Sequence, residues 1–355
     1  MTPMQPVIAN IGLITPVGLS ATETADAVAG GIAGFANSGI ILGGRLEITS
    51  AWIPNEGLAT PDPDFRSSHR LNELGERLVR LGVPPLQRIM QGFPKGWPAP
   101  SLHVALPFDS FGKADAQKLL SLMAEGAGIP WNAALSSTIV QGRAGGLAAV
   151  HAAMDAVTSG RAPCAIAGAV DSYCDFTRLA RLFGQGRIKT ELIGDAFIPG
   201  EASGWILVMS PESARADGIV PMGQLGPVAF GHENGHLGST EPYKGDALAQ
   251  VFSQVLPGLA TPVTDIWSSM TGESHWAKEW SVALIRNKDR IAEQVRLHHP
   301  ADCMGDVGTA TGIILVGLAL TTRRHEGSVA PVVVYASADD GPRAAMTIIP
   351  LPVGA

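Results

Sequence analysis

The segment Ser136–Leu147, with the sequence SSTIVQGRAGGL, is the most informative part of this chain about its fold. Its β-branched residues predict a strand over 135–140, which a sharp turn connects to a helix over 144–159. Arg143 is therefore expected at the first turn of a buried helix, where unpaired N–H groups and the helix dipole favour an anion. A cation at this position is unusual, and a guanidinium cannot serve as a nucleophile.

Strands and helices alternate outward from this segment in two comparable series. The first series has predicted strands near 6–14, 102–106, 135–140, 164–169 and 204–209, and helices near 20–29, 68–82, 114–126 and 144–159. The second has predicted strands near 223–230, 265–267, 332–336 and 345–350, and helices near 245–255, 277–287 and 309–322. This alternation indicates a layered α/β fold.

The boundary between the two series falls near residues 211–220. We expect an N-terminal half over 1–215 and a C-terminal half over 216–355. Glycine, proline and polar residues predict loop insertions in the first half, at about 36–66 and 84–100.

Composition excludes several classes of protein. Hydrophobic residues make up 46% of the 355 residues and charged residues 16%, as in a well-packed globular protein. The net charge of −7 and the lack of a long basic run argue against nucleic-acid binding. The longest apolar run, Gly312–Leu320, is far shorter than the roughly 20 residues that span a bilayer.

The ends and the cysteines lead to further expectations. The N-terminus has no basic segment followed by an apolar one, so we expect no signal peptide. Three cysteines fit a reducing cytoplasm and form neither a disulfide framework nor a zinc pattern. We therefore expect a cytoplasmic protein without a metal or cofactor.

Four further motifs accompany the opening segment: Ile11–Gly18 (IGLITPVG), Ala167–Ser172 (AGAVDS), Phe197–Gly204 (FIPGEASG) and Ala214–Gly218 (ARADG). In this order and at these intervals they resemble the β-ketoacyl synthase branch of the thiolase superfamily over nearly the whole chain. The resemblance implies a thiolase-like fold, in which two similar halves form a layered α-β-α-β-α arrangement.

That family uses a cysteine nucleophile and two histidines. The cysteine attacks an acyl thioester, and the histidines assist decarboxylation and stabilise the developing negative charge. The resemblance places the cysteine position on Arg143 and the two histidine positions on Ser269 and Asp306. It also replaces the family's glycine-rich gating loop with ADDGPR at 338–343. None of the catalytic groups is intact, which implies that condensation is lost.

The helix start resembles one branch of the family in particular. Chain-length factors, the non-condensing partners of polyketide ketosynthases, have a glutamine in place of the cysteine, followed by Ala-Gly-Gly-Leu. Here Arg143 precedes the same four residues, Ala144–Leu147. A register shift of two would bring Gln141 to this position, and glutamine is not a nucleophile either. In such pairs the inactive subunit supports and shapes the active one.

A buried arginine at a helix N-terminus is costly unless it is paired. We hypothesise that Asp306 neutralises Arg143, with Ser269 hydrogen-bonded nearby, so that an ion pair fills the former active site. Two alternatives remain open. Arg143 holds a carboxylate or phosphate ligand, or it points elsewhere, for example across a dimer interface.

The histidines do not form a convincing site. His232 and His236 flank an Asn-Gly loop, where an ordinary loop is favoured over a metal site. His275 lies six residues after Ser269, which is too far to replace the missing histidine. The pair His298-His299 precedes a proline and is expected in an exposed turn.

Cysteine and tryptophan residues offer other candidates. Cys303, three residues before the family's second histidine position, is a possible neighbour of the pocket but lacks the expected nucleophile geometry. Core packing is expected for the other two cysteines, Cys164 and Cys174. Four tryptophans are candidates for an interface, although core packing is equally expected for the second: Trp97, Trp267, Trp276 and Trp280.

These observations favour a catalytically inactive, dimeric protein that acts through protein–protein contact. The resemblance implies dimerisation through the strand at 135–140, as a homodimer or heterodimer. The partner would be a ketosynthase or acyl carrier protein, or an unrelated assembly protein for which this chain is an adaptor. Two alternatives remain: an acyltransferase or malonyl-decarboxylating enzyme that uses Gln141, Arg143 or Asp306, and an acyl-thioester binding protein.

Overall fold

A ten-stranded mixed sheet organises this protein in a computed structural model, which describes residues 5–44, 46–91, 93, 96–107 and 113–352. The strands are β1 Val7–Ile14, β2 Ala36–Leu42, β3 Leu46–Ser50, β4 Ser101–Ala105, β5 Ser137–Ile139, β6 Cys164–Ser172, β7 Glu201–Met209, β8 Gly223–His232, β9 Val263–Ser268, β10 Ile291–His298, β11 Val332–Ser337 and β12 Pro342–Pro350. The helices are α1 Ala21–Ala29, α2 Phe65–Ser68, α3 Glu73–Met90, α4 Lys113–Ala127, α5 Gly145–Thr158, α6 Phe176–Gly184, α7 Pro211–Ala216, α8 Asp246–Val255, α9 Ser274–Arg286, α10 Ala301–Met304 and α11 Thr311–His325.

The order of the strands separates the two halves of the chain. It runs β10-β9-β11-β12-β8-β1-β7-β6-β4-β5, so five strands from residues 223–350 lie beside five from residues 7–209. The halves join where β1 pairs with β8, through Val7–Gln224 and Ile8–Gly223. The remaining two strands, β2 and β3, form a separate hairpin within the predicted insertion at 36–66.

Helices complete the layers on both sides of the sheet. Helices α3 and α4 pack together, with α3 against β1, β6 and β7, while α8 and α9 pack together, with α8 against β8 and β12. Helices α5 and α11 contact each other and strands of both halves. The resulting order is helices, N-terminal strands, central helices, C-terminal strands and helices, which is the layered α/β fold expected from the sequence.

The two central helices cross at glycines. A Cβ atom on Gly146 would lie 2.7 Å from the backbone nitrogen of Ile313, and one on Gly312 would lie 2.8 Å from that of Leu147. No larger residue fits this crossing, which explains the small residues at the start of α5. Both helices also follow a short 3-10 turn, at 142–144 and 308–310.

Helix α3 departs from the predicted boundaries. It begins at Glu73 and continues through Pro84 and Pro85 to Met90, so the expected helix end near 82 and the insertion at 84–100 are wrong in this part. A proline inside a helix removes a hydrogen bond and crowds the preceding turn. Here the apolar side chains around the prolines are buried in the core, which offsets that cost.

Strand β10 was not predicted from the sequence. Its presence shows that the expected exposed turn at His298 is wrong. The strand's mixed sequence, IAEQVRLH, shows no clear alternation of apolar and polar residues. His298 ends this strand instead of lying in an exposed turn. Its ring stacks on Trp267 with centroids 4.2 Å apart, and its Nε2 lies 3.2 Å from an oxygen of Asp265.

The tryptophans also correct an expectation. Trp267, Trp276 and Trp280 are only 2%, 2% and 9% exposed, so within this chain they belong to the interior and not to a surface interface. Trp97 is partly buried against the core between α3 and the N-terminal strands.

Among the described residues, no helix combines the length and the hydrophobicity needed to cross a membrane.

Candidate functional site

Arg143 fills the position between the two halves where the sequence resemblance places a nucleophile. Its side chain is 3% exposed. Its Nε lies 3.1 Å from both carboxylate oxygens of Asp306, and its Nη2 also donates to this carboxylate. Its Nη1 donates to Asp339 at 2.6 Å. The ion pair hypothesised between Arg143 and Asp306 is therefore present, and Asp339 is a second partner. We call these three side chains the plug.

Asp306 is held in place by groups from several elements. Its backbone nitrogen donates to the carbonyl of Ile198, and its Oδ1 accepts a 2.8 Å hydrogen bond from the backbone of Gly308. The hydroxyl of Tyr173 donates to its Oδ2 at 3.2 Å. The buried carboxylate thus has hydrogen-bond partners besides Arg143, as a buried charge requires.

Further charges extend from the plug. Arg187 donates to Asp339 at 2.6 Å and to both oxygens of Glu273 at 2.8 and 2.9 Å. The indole nitrogen of Trp276 donates to Glu273 at 3.0 Å, and the guanidinium of Arg143 lies 5.0 Å from the centre of its ring. Two arginines and three carboxylates therefore form one continuous network.

Burial and neighbouring charges shift the pKa of several groups in or beside this network. Burial lowers the pKa of Arg143, but Asp306 and Asp339 more than offset this and hold the pKa well above its usual value. Burial raises the pKa of Asp339, but Arg143 and Arg187 reverse the effect and hold it well below the usual range. Burial and Asp306 raise the pKa of Tyr173, so this phenol remains a hydrogen-bond donor.

Ser269 lies beside the plug without joining it. Its Oγ accepts a 2.9 Å hydrogen bond from the backbone nitrogen of Ser337. Together with Asp306 it lines a cavity of about 20 Å³, which has room for about one water molecule.

Two larger cavities border the plug. One of about 170 Å³ is lined by Arg143, Asp339 and Thr309, among others. The other, of about 180 Å³, is lined by Asp306 and by residues such as Phe197. Atoms of the plug thus form part of the wall of both cavities.

The remaining sequence candidates lie outside this network. Gln141 precedes the 3-10 turn, and its side chain does not cap it. Cys303 is 5% exposed, and burial raises the pKa of its thiol, which disfavours the reactive thiolate. His275 packs against Tyr243 and Trp276, with ring centroids 4.8 Å away in each case. The rings of His232 and His236 are 6.2 Å apart.

No group of three or more possible ligands that could hold a metal ion occurs in the described ranges.

Several members of the network were missed by sequence reasoning, namely Tyr173, Arg187, Glu273 and Trp276. Asp339 was noticed only as part of the altered gating loop. The adjacent carboxylates Asp339 and Asp340 were the signal that could have identified Asp339 as a partner, because a buried arginine needs a counter-ion.

Comparison with solved structures identifies the architecture. The ishigamide ketosynthase/chain length factor matches with a TM-score of 0.80 and 15% identity, covering 99% of this chain and 100% of the other. This chain has the ketosynthase fold. A chain from the AntDE:AntF complex, described as a type II polyketide synthase acyl carrier protein in complex with its ketosynthase, matches with a TM-score of 0.79 and 15% identity, covering 99% of this chain and 100% of the other.

A modular enzyme has the same ketosynthase fold. The ketosynthase from module 6 of the bacillaene synthase of Bacillus subtilis 168 matches with a TM-score of 0.77 and 11% identity, covering 98% of this chain and 72% of that one. No family model matches the sequence, and neither does any curated protein. At these identities the likeness establishes the ketosynthase fold and leaves the activity open.

Proposed function

We propose that this protein is a catalytically inactive member of the ketosynthase fold that acts through contact with other proteins. The observation that carries the proposal is the plug, in which two carboxylates hold a buried arginine at the position that the sequence resemblance assigns to the nucleophile. Acyl transfer needs a group that attacks the thioester, and a guanidinium that stays protonated cannot do so.

The plug also explains why the site favours a structural role. For an acyl group to take the space that the Arg143 side chain occupies, the guanidinium would have to leave its carboxylates. This would leave Asp306 buried without its counter-ion, a change that costs about 3–5 kcal/mol in comparable pairs. A substrate would have to compensate for that cost before any chemistry began.

The partner is proposed to bind at the edge strand β5. This strand is the last in the sheet and pairs with β4 on one side. Its side chains are partly exposed, and Val140, directly after it, is 37% exposed. An edge of this kind can accept a strand from a second subunit. The second subunit would be another copy of this chain or an active ketosynthase.

Affinity purification of the tagged protein from its native cell, followed by mass spectrometry, tests the proposal. A ketosynthase or acyl carrier protein in stoichiometric amount would support a role as a silent subunit. Another stable partner without a carrier protein would support the adaptor. The purified protein should not turn over malonyl or acyl thioesters. Turnover that is lost in Arg143→Ala would instead show an enzyme with an atypical site.

A further inference from the structure

A second feature lies at the ends of the central strands that point away from the plug. A groove of about 460 Å³ runs between the start of β1, helix α7, the linker to β8 and the residue after β12. We call it the linker groove. Val7, which lines the groove, pairs with Met209 of β7. Met209 in turn pairs with Cys164 at the start of β6. The other end of β6 carries Asp171, which lines a cavity beside the plug.

The lining of the groove is mainly apolar. Val7, Ile219, Val220 and Leu351 line it, and Val220 is 47% exposed. This volume lies in the range of small-molecule sites, which combine apolar walls with a few polar groups that orient the ligand. The linker groove therefore has the size and polarity of a site for an apolar molecule.

One charged side chain gives the groove its polarity. Among the described residues of the lining, Arg215, in the last turn of α7, is the single charged residue and Gln224 is the one other polar side chain. No hydrogen bond or ion pair of the Arg215 guanidinium occurs within the described part of the chain. Its sequence neighbours Glu212 and Asp217 do not line the groove. The Arg215 side chain is exposed, so water hydrates its guanidinium when the groove is empty, and the same guanidinium is complementary to an anionic group on an apolar chain that occupies the groove.

We infer that the linker groove binds a hydrocarbon chain that ends in a carboxylate, such as a medium-chain fatty acid. The chain would cover the apolar walls, and Arg215 would receive the carboxylate. This inference is independent of the proposed function, because neither the plug nor strand β5 contributes to the groove.

Titration calorimetry with decanoate, below its micelle concentration, tests the inference. The full-length protein should bind decanoate saturably at one site. Arg215→Gln should weaken this binding roughly threefold, as expected for an exposed charge pair, while binding of the uncharged decanol stays the same. Arg290→Gln, an exposed arginine outside the groove, is the matched control and should bind decanoate like the wild type.

A second pair of variants tests the location without disturbing the core. Val220→Glu places a like charge at the groove and should weaken decanoate binding more than about tenfold. Val329→Glu makes the same change at a comparably exposed valine elsewhere and should have no effect. The inference is overturned if the wild type shows no saturable binding, or if Val220→Glu binds decanoate as the wild type does.

Discussion

Arg143 lies where the helix dipole opposes a positive charge, and its stability there depends on its carboxylate partners. The dipole disfavours a cation at a helix N-terminus by less than about 1 kcal/mol in exposed sites. Two charge-assisted contacts to Asp306 and Asp339 are stronger than that. The residue is therefore tolerated at this position only together with its partners.

Removing the guanidinium should expose this dependence. We expect Arg143→Ala to lower the free energy of unfolding by about 3–5 kcal/mol, because it leaves the buried carboxylate of Asp306 without its counter-ion. Urea denaturation measures the change. The double variant Arg143→Ala/Asp306→Asn should recover part of the loss. A cost no greater than that of Arg290→Ala, at an exposed arginine, would contradict the structural role of the plug.

Asp339 makes the plug sensitive to acid. Its pKa is lowered on folding, so it contributes stability above the ordinary carboxyl pKa of about 3.9, and this contribution is lost as the pH falls further. We expect Asp339→Asn to be less stable than the wild type at pH 7, and the difference to shrink towards pH 3. Urea denaturation at both pH values measures it. A difference that is constant over this range would rule out the ionised role.

At the scale of elements, the crossing of α5 and α11 brings the two halves together. We expect Gly312→Ala to lower the free energy of unfolding by about 1–3 kcal/mol, because the new Cβ would lie 2.8 Å from a backbone nitrogen that cannot move freely. Gly184→Ala is the control, since no atom lies within 4 Å of its added Cβ and it ends helix α6. Thermal unfolding of both variants decides between crowding at the crossing and a general effect of glycine replacement.

Strand β5 and the residue after it carry the proposed dimer contact. Val140→Lys adds a charge beside this edge and should shift the protein towards the monomer, because a lysine at an edge opposes strand pairing. Sedimentation velocity measures the change in mass. Ile285→Lys, at an exposed residue of α9, should leave the assembly state unchanged. An unaltered dimer in the β5 variant would move the proposed interface elsewhere.

At the scale of the whole molecule, the alternation of apolar strands and helices in the sequence was sufficient to predict the layered fold, but it did not predict every element. Helix α3 continues through Pro84 and Pro85 because burial in the tertiary core outweighs the cost of a proline inside a helix. That burial cannot be read from the local sequence. Strand β10 is similarly held by its partner β9 and by Asp265, not by its own pattern. The division at 215–216, at the end of α7, and the cytoplasmic location remain predictions.

Sequence motifs by themselves determined the fold class and the position of the helix start, and they predict which residues stand in place of the nucleophile and the histidines. These features depend on short segments, in which turn residues and small residues have local physical meanings. Only the tertiary structure decided that Asp339, Tyr173, Arg187 and Glu273 surround Arg143. Their segments are distant in sequence and are brought together by the packing of the two halves. Which charges compensate a buried arginine is therefore a property of the folded chain.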